Sequence, residues 1–334
     1  MSAANPTQDM LADAPAENAF DWRAVITREE FAELTRFEDW KSYRTLAFNW
    51  AVVFASFAMV AVWPNPLTIV LALLLIGARQ LGLAVVMHEA SHHSLLEDRK
   101  LNDWVGNWLA AYPIWSDHAP YRPYHLAHHA HTGTPKDPDL GLAAPFPITR
   151  KSFIRKCLRD LSGKTGWKQA RAVFKRDVGI GNRSTQRTKA AKAGQKPDVG
   201  WHKLFPTFVT NLVLFGILLA FGRPELYLLW IVAWFTTYRL VMRIRAIAEH
   251  AMATDLTHPL KNTRTTLLPW WQKLLIGPNN VNYHLEHHLL MTVPAYNLPK
   301  LHAMLRDRGA LEGALIAHGY GEVLREACSR AEAA

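Results

Sequence analysis

The chain has 334 residues, of which 49% are hydrophobic and 20% charged, and its formal net charge is +10. Its mean hydropathy of −0.06 excludes a chain that lies in a membrane throughout, whereas its long uncharged apolar runs indicate membrane spans beside a large polar part. Two cysteines are too few for a disulfide framework or a cysteine-ligated metal site, and the positive charge comes without a nucleic-acid-binding motif, so we expect no nucleic acid partner.

The N-terminal residues carry no signal for a secreted or folded segment. Residues 1–20 lack the basic and then apolar pattern of a secretory signal, and we expect residues 1–26 to be disordered. Thr27 followed by Glu30 has the spacing of a capping box and predicts a helix that runs toward Trp40.

Four apolar runs are long enough to cross a bilayer as helices. They occupy residues 45–63, 67–87, 204–222 and 226–247. Short breaks containing proline separate the first run from the second and the third from the fourth, so each pair is predicted to form an antiparallel hairpin. The sequence therefore predicts an all-α integral membrane protein with four transmembrane helices in two hairpins.

The distribution of positive charge predicts the orientation in the membrane. Residues 150–203 are dense in Lys and Arg, whereas the two hairpin turns together contain only Arg223 as a cation. Because short loops rich in Lys and Arg stay in the cytoplasm, we expect this segment to be cytoplasmic. With two hairpins, both termini then lie on the same side, and a helical cytoplasmic cap covers the spans.

Three histidine clusters stand out in the chain. They are His88, His92 and His93 in HEASHH, His125, His128 and His129 in HLAHH, and His284, His287 and His288 in HLEHH. Imidazole is a common ligand of iron, copper and zinc, and histidines three or four residues apart on a helix project toward one point. Eight or nine such ligands exceed the need of a single ion. All three clusters fall on the predicted cytoplasmic side.

The first cluster also contains a zinc protease signature. His88, Glu89 and His92 satisfy HExxH, in which two histidines hold zinc and the glutamate activates water. A membrane-embedded zinc protease is therefore a remote alternative. The zinc site of such a protease needs only one further ligand from the protein, so this alternative does not account for the two HxxHH clusters.

The segments HEASHH, HLAHHAHTGTPKDPDL and NYHLEHHLLMTVPAYNLP resemble the three histidine boxes of the membrane-bound fatty acid desaturase superfamily, which also includes lipid hydroxylases and carotenoid ketolases. The resemblance covers about residues 40–305 in order and spacing. It implies a desaturase-like membrane domain over residues 27–305, followed by a helical cytoplasmic tail over residues 306–334.

The resemblance also implies a cofactor and a ligand set. It implies two non-haem iron ions on the cytoplasmic side, O2 as co-substrate, and a separate electron donor of the ferredoxin, rubredoxin or cytochrome b5 type. The family has a further ligand at the end of the fourth span, where His250 stands in this chain. The implied iron ligands are His88, His92, His125, His128, His129, His250, His284, His287 and His288.

Several residues beside these positions are expected to orient or replace a ligand. His93 fits the family spacing as well as His92, and we prefer His92; His131 is expected to hydrogen-bond to a ligand rather than to bind iron. Carboxylates next to ligands can accept from the second ring nitrogen of a histidine. Those predicted to do so are Glu89, Asp137, Asp139, Glu249 and Glu286.

The reaction is predicted from the surroundings of the boxes. KDPDL after the second box and VPAYNLP after the third resemble acyl-lipid desaturases most closely. We therefore expect the enzyme to introduce a double bond into the aliphatic chain of a fatty acyl or lipid substrate. A hydroxylase or ketolase acting on a lipid, alkane or carotenoid has the same boxes and is the alternative.

Overall fold

The computed structural model describes residues 20–143, 145–180 and 198–331. The α-helices before residue 180 are α1 Arg28–Thr35, α2 Asp39–Val62, α3 Pro66–Ser91, α4 Arg99–Gly106, α5 His118–His131, α6 Leu140–Ala143, α7 Arg150–Leu161 and α8 Lys164–Val178. Those after residue 198 are α9 Phe205–Ala220, α10 Tyr227–Phe235, α11 Thr237–His250, α12 Trp270–Leu275, α13 His284–Leu289, α14 Leu298–Asp307 and α15 Tyr320–Ala327. The predicted all-α class is confirmed.

Shorter elements connect these helices. There are 3₁₀ turns at Trp22–Ala24, Tyr112–Ile114, Trp201–Leu204, Pro224–Leu226 and Ala295–Asn297, and a π-helical turn at Asn107–Ala111. Two three-residue strands, β1 Arg264–Thr266 and β2 Leu315–Ala317, pair in parallel with Thr265 opposite Ile316. Because β2 lies in the predicted C-terminal tail, this pairing ties the tail to the rest of the protein.

Three helices are long and apolar enough to cross a membrane. Among the described residues they are Asp39–Val62, Pro66–Ser91 and the continuous helical segment Trp201–Ala220, and they cover all or nearly all of three of the four predicted spans. α3 begins sharply because the side chain of Asn65 accepts hydrogen bonds from the amides of Leu67 and Thr68, and Pro66 occupies the first helical position, where no amide hydrogen is needed.

The fourth predicted span, residues 226–247, is not one continuous helix. α10 ends at Phe235, and α11 begins at Thr237. Thr236 donates its hydroxyl to the carbonyl of Val232 at 2.6 Å, and Thr237 donates to the carbonyl of Leu73 on α3 at 2.6 Å. Hydroxyl groups that bind backbone carbonyls compete with regular helix geometry, and two adjacent β-branched residues weaken the helix further. Hydropathy, which reports only composition, does not detect this break.

α3 is the central helix of the fold. It packs against α2, α4, α5, α10, α11 and α12. From residue 76 to residue 91 every residue except Ala84 is buried. A helix that is apolar on all sides is stabilised by neighbours all around it, and its position is therefore well defined. Its last turn carries His88, so the first histidine cluster is attached to the best-packed element of the molecule.

The N-terminal helix packs against the C-terminal part of the chain. The predicted capping box is present, with Thr27 and Glu30 each bonding the backbone amide of the other. α1 ends at Thr35 and not near Trp40. Arg36 has an extended backbone, and the side-chain amide of Asn297 donates to the carbonyl of Leu34 at 2.9 Å. Within the segment predicted to be disordered, residues 20–26 are ordered, and Ile26 is buried in an apolar cluster with Leu285. Residues 1–19 lie outside the described part.

Candidate metal centre

Nine histidines form two separate groups. Site A contains His88, His92, His125, His129 and His287, and site B contains His128, His250, His284 and His288. In each group the ring nitrogens lie within 4.8 Å of one another. These are the nine residues predicted as ligands. In the described part of the chain both groups consist of histidine alone, without a carboxylate or thiol.

The HxxHH spacing explains why there are two groups. Residues four apart on a helix lie on the same face, so His125 and His129 of α5 both point to site A. Adjacent residues differ by about 100° around the helix axis, which directs His128 to site B. α13 repeats this division, since His284 and His288 point to site B and His287 points to site A. Each HxxHH helix therefore contributes to both sites.

The ring nitrogens converge as they would around a bound ion. In site A the Nε2 atom of His129 lies 2.9 Å from Nε2 of His125 and 3.1 Å from Nε2 of His287. The buried Nε2 atoms of His88 and His92 make no hydrogen bond to a described residue. Nitrogen lone pairs that face one another without a donor between them fit a metal ion with imidazole ligands.

Site B has the same geometry and lies next to site A. The Nε2 atom of His284 is 2.8 Å from Nε2 of His250 and 3.1 Å from Nε2 of His288. The rings of His129 and His288, one from each site, stack with centroids 4.2 Å apart. The two groups are therefore adjacent.

Burial keeps these imidazoles neutral. Desolvation, reinforced by the neighbouring histidines, lowers the pKa of two histidines of α5 and of the three histidines of α13 well below the ordinary value. The five residues affected are His125, His129, His284, His287 and His288. Neutral imidazole is the form that binds a metal, because protonation removes the lone pair.

Hydrogen-bond acceptors contact the second ring nitrogen of several histidines in the two sites. The Oδ1 atom of Asp137 lies 2.8 Å from Nδ1 of His128, and the hydroxyl of Thr132 lies 3.3 Å from Nδ1 of His288. Glu89 approaches Nδ1 of His88 at 3.3 Å, and Glu249 approaches Nδ1 of His284 at 3.7 Å. Such contacts select the ring tautomer and orient the other nitrogen toward the site.

Three further residues that were predicted beside the ligands, His93, His131 and Asp139, belong to neither group. His93 belongs to neither group: its backbone is left-handed, with φ of 54°, and its ring contacts Asn102 and Arg122. His131 also lies outside both groups. Asp139 accepts from the hydroxyl of Tyr124 and is 4.0 Å from His128.

The carboxylate of Glu286 hydrogen-bonds to two residues outside both sites. Its Oε1 atom lies 2.6 Å from Nδ1 of His302 on α14, and Oε2 accepts from the hydroxyl of Thr265 on β1. Glu286 is fully buried, and His302 is nearly so. Sequence reasoning missed His302 and Thr265 because no local spacing links either residue to the third box.

The carboxylate of Glu89 is turned toward the backbone. Its Oε2 atom accepts from the amide of Ala295 at 2.7 Å and from the hydroxyl of Ser94 at 3.3 Å. A zinc protease needs this carboxylate free to activate a metal-bound water. Five histidines in site A also exceed the three protein ligands of a catalytic zinc site.

The chain combines long apolar helices with two all-histidine groups that are compatible with bound metal. The sequence model described as fatty acid desaturase matches residues 64–320, and the chain belongs to this family. The resemblance noted from the histidine boxes is confirmed, and membership makes the protein an oxidoreductase.

The individual relatives share limited sequence identity with this chain. The chain is 28% identical over 250 residues to dihydrorhizobitoxine desaturase of Bradyrhizobium elkanii, an alignment that covers 72% of this chain and 67% of the relative. It is 24% identical over 281 residues to sn-1 oleoyl-lipid 12-desaturase of Picosynechococcus sp., covering 80% and 77%. A shorter match, 36% identical over 66 residues, is to zeaxanthin 4-ketolase of Chlamydomonas reinhardtii and covers 19% and 15%.

Proposed function

We propose that the protein is an O2-dependent di-iron desaturase that introduces a double bond into the aliphatic chain of an acyl lipid. The division of nine buried or half-buried histidines into two adjacent all-histidine groups carries this proposal. Membership of the fatty acid desaturase family and the oleoyl-lipid desaturases among the relatives favour a lipid substrate.

The nine histidines are proposed as the iron ligands. Site A would hold one ion through His88, His92, His125, His129 and His287, and site B the other through His128, His250, His284 and His288. The bound irons would supply the O2-dependent removal of two hydrogens from neighbouring methylene carbons. The protein holds the rings neutral and in fixed tautomers, and it buries the ligands so that bulk water is excluded.

The proposed topology has four spans in two hairpins, with α10 and α11 together forming the fourth span despite the break at Thr236. Both termini, the histidine sites and the basic segment 150–203 would face the cytoplasm. Charge bias supports this orientation. Packing of the N-terminal α1 against α13 and α14 is consistent with an N-terminus on the side of the sites. Electrons would come from a separate ferredoxin, rubredoxin or cytochrome b5 type protein.

A lipid hydroxylase or ketolase is the second candidate. The 66-residue match to a ketolase favours it, because the same histidine arrangement can support either desaturation or the introduction of a hydroxyl or keto group. Two observations oppose the zinc protease alternative. Glu89 accepts hydrogen bonds from Ala295 and Ser94, and the two histidine groups contain more ligands than one zinc ion binds.

The decisive experiment compares lipids of cells that express the wild-type protein with lipids of cells that express His288→Ala or His318→Ala. His318 is an exposed histidine outside both sites and serves as the matched control. New double bonds in wild type and His318→Ala, absent in His288→Ala, are expected. New hydroxyl or keto groups without new double bonds would instead establish the second candidate, and no change in any lipid would contradict both.

A further inference from the structure

The helices α7 and α8 form a strongly basic hairpin on the surface. Residues 150–178 contain ten Lys and Arg but only two acids, Asp160 and Asp177. Both acids are engaged, since Arg243 of α11 donates to Asp160 at 2.9 Å and Arg176 donates to Asp177 at 2.7 Å. The excess positive charge of the hairpin is therefore not neutralised within it.

The same hairpin exposes a row of large apolar side chains. Ile154, Leu158 and Leu161 recur at spacings of four and three residues on one face of α7 and are 56%, 61% and 44% exposed. Trp167, after the turn, is 66% exposed. A helix with apolar residues on one face and cations around them has the composition of an element that lies in the surface of a bilayer.

The packing of the hairpin brings it to the end of a membrane span. Ala170 on α8 is part of the main apolar core. A Cβ atom added at Gly166 would lie 2.4 Å from the carbonyl oxygen of Phe235, so the two backbones are in contact. The ring of Phe174 packs on that of Trp201 with centroids 5.7 Å apart, and Trp201 begins the third candidate span. One end of α8 therefore lies beside the first residue of this candidate span.

A groove of about 510 Å³ continues the apolar row between α7 and α15. Its apolar lining includes Phe153, Ile154 and Leu324, and Arg150 and Arg325 also line it. Neither arginine forms an ion pair with a residue that the structure describes. Two unneutralised cations beside an apolar groove are complementary to an amphiphile that carries a negative charge at one end.

We propose that the α7–α8 hairpin and the groove beside it form a binding site for an anionic phospholipid of the surrounding bilayer. Arg150 and Arg325 bind the phosphate headgroup, while Ile154, Leu158, Leu161 and Trp167 enter the acyl region. An acidic protein partner would satisfy the charge but would leave the apolar row in water. This site is separate from the histidine groups and does not depend on which lipid is oxidised.

The first test measures the depth of α7 in a bilayer. A nitroxide is attached to Leu158→Cys, or to Arg306→Cys as an aqueous control, in the full chain carrying Cys157→Ala and Cys328→Ala. The protein is placed in nanodiscs of phosphatidylcholine mixed equally with phosphatidylglycerol. The label at 158 is expected to collide more with dissolved oxygen than with a water-soluble nickel chelate, and the label at 306 to do the reverse. Equal behaviour of the two labels would overturn the proposal.

The second test measures lipid retention by native mass spectrometry after extraction from the same nanodiscs. Arg150→Gln with Arg325→Gln should reduce phosphatidylglycerol affinity by about 25-fold, since each cation near an anionic surface contributes about fivefold. The matched pair Arg28→Gln with Arg306→Gln removes the same charge elsewhere and should retain the lipid. Arg150→Lys with Arg325→Lys, which preserves the charge, should retain most of it. Equal loss in both Gln pairs, or loss in neither, would contradict the proposed site.

Discussion

The Oδ1 atom of Asp137 lies 2.8 Å from Nδ1 of His128. Burial raises the pKa of Asp137, but the hydrogen bonds from His128 and from the amides of Gly133 and Asp139 lower it by more, so the net shift is downward. An ionised carboxylate can only accept, so His128 donates from Nδ1 and leaves the lone pair of Nε2 for site B.

Replacement of this carboxylate should weaken site B. Asp137→Asn retains the size of the side chain but lowers its strength as an acceptor, and we expect a loss of about 10- to 100-fold in activity or metal affinity. Iron content and lipid product are measured together. Asp139→Asn is the matched control, because Asp139 lies 4.0 Å from the same nitrogen and should have a smaller effect. Equal losses in the two variants would argue against the proposed orienting role.

The adjacent histidines of the first box should behave differently. His92 belongs to site A, whereas His93 contacts Asn102 and Arg122 outside both groups. His92→Ala is therefore expected to lower the iron content and abolish activity, because a ligand is lost. His93→Ala should retain iron. Iron analysis of both purified variants checks this, and the opposite result would assign the ligand to His93.

The buried contact between Glu286 and His302 should support the third box. His302→Phe leaves the Glu286 carboxylate without one of its partners, which costs about 1–3 kcal/mol for a buried polar group. Because α13 has only six residues and carries three proposed ligands, we expect a lower Tm together with a lower iron content. His318→Phe, at an exposed position, should change neither quantity. A normal Tm and full iron in His302→Phe would show that the contact does not support the site.

Glu89 distinguishes the proposed oxygenase from a zinc protease. Glu89→Gln retains a side chain that can still accept from the amide of Ala295, so we expect bound iron to remain and activity to fall by about 10- to 100-fold. Lipid modification and peptide hydrolysis are assayed in parallel. Zinc-dependent peptide cleavage by wild type that disappears in Glu89→Gln, without any lipid product, would defeat the desaturase proposal.

The proposed topology predicts which positions can be labelled from outside an intact cell. A single cysteine at Asn65→Cys or Pro224→Cys should react with a membrane-impermeant maleimide, because both positions lie in the short turns of the hairpins. Lys168→Cys should react only after the cells are permeabilised. Each is introduced in the background that lacks Cys157 and Cys328. Reversed labelling would mean that the histidine sites face outward.

Sequence spacing was sufficient to predict the histidine clusters of the three boxes and the helical class, whereas His250 was added from the family resemblance. Histidines four residues apart share a helix face, and apolar runs of about 20 residues favour membrane helices. The capping box of Thr27 and Glu30 is equally local, since both partners lie within one turn of helix. These features depend on residues that are close together in the chain, and they can therefore be predicted from the sequence.

Features that join distant segments required the tertiary structure. The assignment of each histidine to site A or site B depends on how α3, α5, α11 and α13 are arranged, and the partner of Glu286 lies on another helix. The break at Thr236 is stabilised by a hydrogen bond from Thr237 to Leu73 on α3. The backbone of His93 is left-handed, and this residue belongs to neither group. Sequence pattern alone determined which residues could act together, whereas packing between segments decided which of them do, because those contacts exist only in the folded chain.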